Sequence, residues 1–216
     1  MIREFAWIDV LYLVYAMRWT IALTATAFLG GGLIGILVAV FRVSRFWPLK
    51  VVAIVYTQVI QGTPLLVLLF VFFFGLSIVG LPVLPWVAAA ISFSIYAGAF
   101  LGEIWRGALQ AIPKTQWEAG AALGLGFGEQ LRYVIVPQAV RIAIPPTVGF
   151  LVQLIKNTSL AATIGFVELT REGQLTTAST FQPFAVYLTV AFLYFLMCFP
   201  LTQWSRHLER RTHGAA

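Results

Sequence analysis

Charged residues are scarce in this chain of 216 residues. Lysine, arginine, aspartate and glutamate together make up 10% of it, whereas hydrophobic residues make up 60%. Because soluble domains carry about 25% charged residues, this composition excludes a water-soluble globular protein and indicates one that is embedded in a membrane. A spanning helix needs about 20 apolar residues, so the length allows about five or six spans and no sizeable soluble domain.

Residues suited to metal binding and redox chemistry are rare as well. Cys198 is the only cysteine, so neither an intrachain disulfide nor a cysteine-based metal site can form. The two histidines, His207 and His213, both lie in the C-terminal tail. We expect both histidines to be solvated, and we expect no metal site in this chain.

Motifs for catalysis and for energy coupling are also missing. No GxxxxGK[ST] motif is present, so the chain cannot bind a nucleotide through a P-loop. No Ser/His/Asp or paired-carboxylate arrangement indicates an enzyme. A proton-coupled carrier needs acidic residues within its spans, and Glu103 is the only one that we place there. These absences predict a subunit that is not catalytic and whose energy comes from another protein.

Long apolar runs, in contrast, are abundant. They predict an all-α, polytopic membrane protein with five transmembrane helices at about 19–41, 51–74, 86–105, 138–155 and 183–204. Residues 1–18 combine charges with aromatic and apolar residues at helical spacing, which predicts an interfacial helix. We therefore predict one transmembrane domain over residues 1–216, with a five-span core at 19–204 and a tail at 205–216.

The basic residues predict how this domain is oriented. Five spans place the two ends of the chain on opposite sides of the membrane. One side then collects ten lysine and arginine residues and the other side four. Because basic residues are enriched in cytoplasmic loops, the C-terminus is predicted inside and the N-terminus outside. The ten are Arg42, Arg45, Lys50, Arg106, Lys114, Arg132, Arg141, Arg206, Arg210 and Arg211; the four are Arg3, Arg18, Lys156 and Arg171.

The second apolar run is interrupted by Gln61, Gly62, Thr63 and Pro64. The interruption comes about 18 Å into the span, near the bilayer midplane. Glycine and proline weaken the helix, and backbone groups freed at that depth must be buried in protein or line a wet cavity. Transporters place substrate sites at such breaks, so we predict a substrate pathway here. A packing kink is the alternative interpretation.

Other polar residues near the spans are candidates for the same pathway. Glu103 lies three residues before Arg106, so it can form a structural ion pair or contact the substrate. Lys156 ends the fourth span, where it can anchor the helix at the interface or meet a substrate carboxylate. Three further candidates follow it directly: Asn157, Thr158 and Ser159.

A segment rich in small residues, 118–146, lies between the third and fourth spans. Its glycines and alanines allow a partner protein or a neighbouring helix to approach the backbone closely. The charge asymmetry places the segment in the cytoplasm, so we predict a docking element. It resembles the cytoplasmic signature of bacterial ABC-importer permeases, which reads EAA, three residues, G, nine residues, I-x-L-P. The matching residues here are Glu118-Ala119-Gly120, Gly124 and Val134-Ile135-Val136-Pro137.

The resemblance extends over most of the chain. The motifs GTPLL at 62–66, GEIWRGALQAIPKTQWEA at 102–119 and KNTSLA at 156–161 are similar to the polar amino-acid uptake group of that family. The resemblance implies a type I ABC-importer permease fold, in which the loop at about 106–137 holds a cytoplasmic coupling helix that Gly124 ends or turns. The residues that it assigns to coupling are Glu118, Ala119, Gly120, Gly124 and Pro137.

The resemblance also implies partners in the bacterial inner membrane. The chain is expected to pair with a second permease, identical or paralogous, and to move polar amino acids by alternating access. A cytoplasmic ABC ATPase dimer, which binds ATP and magnesium, and a periplasmic amino-acid-binding protein would complete the system. The permease itself is expected to hold no cofactor.

Two other functions stay open, and one position departs from the family pattern. Gln61 stands where the family often has arginine, so it offers neutral hydrogen bonds in place of a fixed cation. The alternative functions are a stand-alone channel or ion-coupled carrier for amino acids, and a membrane anchor without transport. The missing acidic residues count against the carrier, and the break at 61–64 counts against the anchor.

Overall fold

The computed structural model describes residues 3–44 and 46–213, with side chains as far as Arg210. Every regular element in this part of the chain is helical. The helices are α1 (Trp7–Val43), α2 (Trp47–Gln61), α3 (Leu65–Ile78), α4 (Pro85–Gln110), α5 (Lys114–Ala122), α6 (Phe127–Ile164), α7 (Leu169–Thr180) and α8 (Pro183–His213). Two of them change form along their length: a π-helical turn interrupts α3 at Val71–Gly75 and α6 at Gln130–Ile135, and α6 ends in a 3₁₀ turn at Thr158–Ile164.

Helices α1 and α4 form the centre of the bundle and run parallel. Gly31 of α1 lies against Ala97 of α4, and one turn later Gly35 lies against Leu101, so the contacts advance in the same direction along both helices. A methyl group on Gly31 would overlap Ala97. Small residues allow this close approach of two backbones, which is a main source of helix association in membranes.

The segment between these two parallel helices has to return across the membrane. At one end of the bundle, Trp19 of α1 packs edge-on against Trp86 of α4, with 6.0 Å between ring centroids. At the other end, Arg42 of α1 donates a hydrogen bond to Glu103 of α4 at 3.3 Å. Helices α2 and α3 make the return as a broken span whose two parts are bent by 100°. This bend confirms the predicted interruption of the second span.

Helices α6 and α8 complete the five spans. The Trp105 indole of α4 donates a hydrogen bond to Thr147 of α6 at 3.1 Å, at the end of the bundle opposite Trp86, so α6 runs antiparallel to α4. The Ser205 hydroxyl of α8 donates to the Pro145 carbonyl of α6 at 3.0 Å, and α8 returns antiparallel to α6. Four long apolar helices and one broken span thus confirm the predicted all-α fold with five spans.

The depth of each residue in the membrane follows from two tryptophans of α4. Trp86 and Trp105 are nineteen residues apart, which is about 28 Å along a helix and close to the ~30 Å hydrocarbon thickness of a bilayer. Tryptophan is enriched at both membrane interfaces. Tyr96 lies midway between the two and therefore marks the middle of the membrane.

Two predicted boundaries are wrong. The described part of the predicted interfacial segment 1–18 is not a separate helix, because Trp7 begins a continuous helix of 37 residues. Leu13, in the early part of this helix, is fully buried in a cluster with residues of α7 and α8, and this packing supports α1 beyond the membrane. The fourth span does not begin after Pro137, because a π-helical turn at Gln130–Ile135 joins it to the preceding loop residues.

Part of the predicted charge asymmetry falls outside the described residues. Arg45 and the tail residues 214–216 lie there, as do the side chains of Arg211 and His213. Arg42 and Arg106 lie together at one end of the bundle. Arg3 pairs with Asp9 at the other end.

Candidate functional site

The loop between α4 and α6 is built around the short helix α5. The helix ends in a Schellman motif, in which the Leu125 N–H donates to the Gly120 carbonyl at 3.1 Å and the Gly124 N–H donates to the Ala121 carbonyl at 2.9 Å. Gly124 has a φ of 76°, in the left-handed region that glycine enters without steric cost. The expectation that Gly124 ends this helix is confirmed.

Packing contacts fix α5 to the first turns of α6. Gly120 is buried against the Gln130 side chain, and a Cβ atom at Gly120 would come within 3.0 Å of it. The rings of Trp117 and Phe127 stack with 5.6 Å between their centroids. The small size of Gly120 therefore allows the close approach of a neighbouring helix, which is one of the two contacts predicted for the small residues of this segment. Helix α5 and the base of α6 form one packed unit.

Pro137 lies where this unit continues into the long helix that spans the membrane. Proline lacks an N–H group and normally disturbs a helix, and the wider π-helical turn just before it accommodates the ring. The next residue, Gln138, donates one hydrogen bond to Gln116 of α5 at 3.2 Å and another to the Val134 carbonyl at 2.8 Å. The helix therefore continues from the loop into the span without a break.

The other face of α5 is not covered by the described chain. Glu118 and Ala119 are exposed, Leu123 is 80% exposed and Phe127 is 61% exposed. A carboxylate, a small residue and two large apolar side chains are thus accessible in this loop at the end of the bundle. An exposed apolar patch of this kind is typical of a protein contact.

Glu103 lies in an ion-pair cluster at the same end of the bundle. Both of its carboxylate oxygens accept hydrogen bonds from Arg106, and one also accepts from Arg42 of α1. The carboxylate is therefore already paired with two guanidinium groups, which join α1 to α4. The structure favours the ion-pair interpretation of Glu103 over the predicted contact with substrate.

The break between α2 and α3 lies near the middle of the membrane. The Gln61 amide donates to the Ala99 carbonyl at 3.4 Å, and Ala99 is one turn from Tyr96. The Thr63 hydroxyl donates to the Val59 carbonyl at 2.7 Å. Gln61, Gly62 and Pro64 are exposed on the surface of the bundle. Irregular backbone at this depth needs a second protein chain or a water-filled path beside it.

The four candidates at the end of α6 point in different directions. Lys156 is exposed, and Asn157 accepts a hydrogen bond from Gln153 at 3.2 Å. Ser159 donates to the backbone carbonyl of Lys156 at 2.7 Å. Thr158 is fully buried, so the prediction that it lines the pathway is wrong. Thr158 follows Lys156 by two residues, which is a rotation of more than half a turn around the helix axis. Thr158 therefore faces the bundle, whereas Lys156 faces outward.

The depth of Lys156 in the membrane distinguishes between an interface anchor and a contact with a substrate carboxylate. Its neighbour Asn157 interacts with the Tyr96 hydroxyl, in the middle of the membrane. Either interface is about 14 Å away along the helix, which is farther than a lysine side chain extends. An exposed charge at this depth is costly in lipid. Lys156 is therefore not an interface anchor, and it faces another protein chain or water.

A buried carboxylate near the opposite end of the bundle was missed by the sequence analysis. Glu168 is fully buried and caps the N-terminus of α7, where it accepts from the Arg171 N–H at 2.9 Å. It also accepts from Tyr194 of α8 at 2.8 Å and from Thr20 of α1 at 3.5 Å. Burial raises the pKa of Glu168 above its ordinary value. A single glutamate in a polar loop gives no sequence signal for such burial.

Comparisons with known proteins find one matching family and several similar sequences. The family model described as "Binding-protein-dependent transport system inner membrane component" matches residues 31–214. The L-cystine transport system permease protein TcyB of Bacillus subtilis (strain 168) is 39% identical over 194 residues, which cover 89% of this chain and 83% of the relative. The glutamine transport system permease protein GlnP of Escherichia coli (strain K12) is 37% identical over 207 residues, covering 95% and 94%.

Solved structures show the same architecture. A chain from the crystal structure of an amino acid ABC transporter with histidines superposes with a TM-score of 0.87 at 32% identity, covering 92% of this chain and 93% of that one. A chain of the inward-facing MetNI methionine ABC transporter gives a TM-score of 0.71 at 21% identity, covering 91% and 96%. At that identity the second likeness shows the fold alone.

Proposed function

The chain belongs to the family of binding-protein-dependent transport system inner membrane components, and we propose that it is the permease subunit of an ATP-driven importer of polar amino acids. The substrate class is supported by relatives named for cystine and glutamine transport and by the similar chain of an amino acid ABC transporter. In this proposal the chain is not itself catalytic and holds no cofactor, since ATP and magnesium are bound by the ATPase subunits.

The exposed face of α5 is the proposed contact with the ATPase. Glu118 and Ala119 would lie in this contact, with Leu123 and Phe127 at its apolar edge. Gly120, Gly124 and Pro137 would act from within the chain: Gly120 packs α5 on α6, Gly124 ends α5, and Pro137 lies at the entry to the span. The observation that carries the proposal is this packing of α5 onto α6, because a displacement of α5 is then transmitted to the whole of α6. Such rigid-body motion is a common basis of alternating access.

The polar surface in the middle of the membrane is the proposed substrate pathway. The described residues that form it are Gln61, Gly62, Thr63 and Pro64 at the break, and Gln153, Lys156, Asn157 and Ser159 on α6. A second permease, identical or paralogous, would cover this surface and enclose the path. Within it, the Lys156 ammonium is suited to pair with the α-carboxylate of an amino acid, since a cation in a low-dielectric site strongly favours an anionic partner.

We also propose an orientation of the bundle in the membrane. We place the end with α5, Arg42 and Arg106 in the cytoplasm of a bacterial cell and the end with Trp19, Trp86 and α7 in the periplasm, where a liganded amino-acid-binding protein would dock. The excess of basic residues at the first end supports this choice. The proposal therefore comprises an inner-membrane assembly of two permeases, two ATPase subunits and one binding protein.

Transport into proteoliposomes tests this function. The permease would be co-purified with its ATPase subunit, reconstituted, and supplied with labelled amino acids and a periplasmic binding protein. Uptake that requires ATP on the ATPase side and is unchanged by dissipating ion gradients is the expected result. Uptake driven by an ion gradient without ATP would instead establish the alternative, an ion-coupled carrier.

A further inference from the structure

Tyr194 of α8 lies beside the junction at which the chain passes from α6 to α7. The junction consists of the 3₁₀ turn Thr158–Ile164 and a short loop in which Gly165 has a φ of 83°. Its first residue, Thr158, and its last residue, Glu168, are both fully buried. Both ends of the junction are therefore held inside the bundle.

The Tyr194 hydroxyl contacts both of these ends. It donates a hydrogen bond to the Glu168 carboxylate at 2.8 Å, and it also interacts with the Thr158 side chain. The hydroxyl of Thr170, in the first turn of α7, lies 3.0 Å from the same oxygen. One hydroxyl group on α8 thus joins the end of α6 to the start of α7.

The Thr158 end of the junction carries part of the proposed substrate pathway. The Thr158 hydroxyl donates to the Ile155 carbonyl at 2.7 Å, and Ile155 directly precedes Lys156. The Ser159 hydroxyl donates to the Lys156 carbonyl at 2.7 Å. Because successive residues of a helix differ in direction by about 100°, a small rotation of this turn would move Lys156 away from the pathway.

The Glu168 end is fixed to the rest of the bundle. Thr20 of α1 donates to the Glu168 carboxylate at 3.5 Å and accepts from the Leu169 N–H at 3.2 Å. A buried network of this kind favours one arrangement, because a buried polar group that loses its partner is costly. Tyr194 therefore connects a fixed point, Glu168, to the turn that follows Lys156.

We propose that Tyr194 is a positioning residue for the substrate pathway. Its hydroxyl holds the last turn of α6 in the orientation in which Lys156 faces the substrate. Tyr194 acts through Thr158 and does not itself touch the substrate, since its hydroxyl is already engaged by Glu168. This inference rests on the proposed function, because it takes Lys156 as the contact for the substrate carboxylate.

Hydrogen exchange of the reconstituted permease–ATPase complex tests whether the hydroxyl holds the turn. Tyr194→Phe removes the hydroxyl and keeps the ring. The backbone amides of residues 155–160 should then exchange about tenfold faster, because the turn opens more readily without its buried contact. Tyr187→Phe is the matched control, since Tyr187 lies two turns earlier on α8, is 43% exposed and has its ring beside Gly173 of α7. It should leave the exchange unchanged.

Uptake kinetics separate positioning from structural support. In Tyr194→Phe the KM should rise about fivefold and kcat should change less than about twofold, because the hydroxyl acts on substrate binding and not on later steps. Thr158→Val removes the other hydroxyl of the contact and should have the same effect. The double variant should be no worse than either single variant, since both changes break one contact.

Three results would overturn the proposal. Unchanged exchange in Tyr194→Phe would show that the hydroxyl does not hold the turn. Faster exchange with a KM equal to that of the wild type would leave Tyr194 with a structural role only. A wild-type complex without ATP-dependent uptake would instead overturn the proposed function itself, and this positioning role with it.

Discussion

Gly124 has two properties that substitutions can separate. Its φ of 76° penalises any side chain by about 1 kcal/mol, yet a Cβ atom there would meet no other atom within 4 Å. Gly124→Ala should therefore lower stability slightly and leave uptake largely intact. Gly124→Asp adds a charge beside the proposed ATPase contact, where burial of an unpaired charge is costly. We expect it to reduce uptake at least about tenfold with normal amounts of protein in the membrane.

Gly128→Asp is the matched control for Gly124→Asp. It adds the same charge to the same loop, at a glycine that also has open space around it. Retained uptake in Gly128→Asp together with lost uptake in Gly124→Asp would support the contact. Unchanged uptake in Gly124→Asp would contradict the coupling role.

Lys156 is the residue on which the substrate proposal depends most. Replacing it by methionine keeps the length of the side chain and removes the charge. Because a hydrogen bond to a charged group contributes about 1.5–3 kcal/mol, the KM for uptake should rise by about tenfold or more. Lys156→Arg keeps the cation and should be affected much less. A KM in Lys156→Met equal to that of the wild type would contradict the proposed contact between Lys156 and the substrate carboxylate.

The sequence predicted the environments of some of these residues and not of others. Gly124 was predictable, because the resemblance to the permease signature implies a short helix before it and glycine is favoured just past the C-terminus of a helix. Thr158 and Glu103 were not, because their environments depend on the rotation of one helix and on a guanidinium sixty-one residues away in the chain. Lys156 needed the depth scale that only the packed tryptophans of α4 provide.

At the scale of helices, Glu168 joins α7 to α1 and α8 and predicts a pH-dependent stability. Burial raises its pKa in the folded protein, so the folded state binds the proton more tightly than the unfolded state. The stabilisation is complete below the ordinary glutamate pKa and is lost as the pH rises through the raised pKa. The Tm of the purified complex should fall over this range, and Glu168→Gln should flatten that dependence.

Glu172→Gln provides the control for this pH series. Glu172 lies on the same helix and is partly exposed, so its replacement should leave the decline of Tm with pH in place. If Glu168→Gln and Glu172→Gln give the same slope as the wild type, the Glu168 carboxylate does not control the stability of this end of the bundle.

The helices themselves show what periodicity can and cannot predict. The break at 61–64 was predicted because glycine and proline act locally on the backbone. The 37-residue length of α1 was not, because its first turns are held by packing against α7 and α8 and not by local propensity. The π-helical turn before Pro137 was also missed. The proline by itself suggested that a helix begins there, and periodicity gives no signal for a π-helical turn.

At the scale of the whole molecule, the parallel packing of α1 and α4 determines the topology. Apolar runs predicted the number of spans, but only contacts between helices, such as those of Gly31 and Gly35, show which spans are neighbours. Accessibility of single cysteines tests the orientation in a Cys198→Ser background. Leu81→Cys, in the turn before α4, should react in intact cells with a membrane-impermeant thiol reagent. Gly128→Cys, in the loop with α5, should react only after the membrane is opened.

The reverse labelling pattern would place α5 outside the cell and exclude its contact with a cytoplasmic ATPase. Both positions are suited to the comparison, because Leu81 is 62% exposed and a side chain at Gly128 meets open space. Equal labelling of the two cysteines in intact cells would mean that they do not lie on opposite sides of a membrane.

The most direct measurement is the ATPase activity of the complex that co-purifies with this chain, reconstituted in lipid. It would be assayed with a periplasmic binding protein, empty or loaded with each member of a panel of amino acids. We expect stimulation by the binding protein loaded with one or a few polar amino acids, and loss of that stimulation in Gly124→Asp. If no ATPase co-purifies, and amino acids still cross the membrane on an ion gradient, the chain is not the permease subunit of an ATP-driven importer.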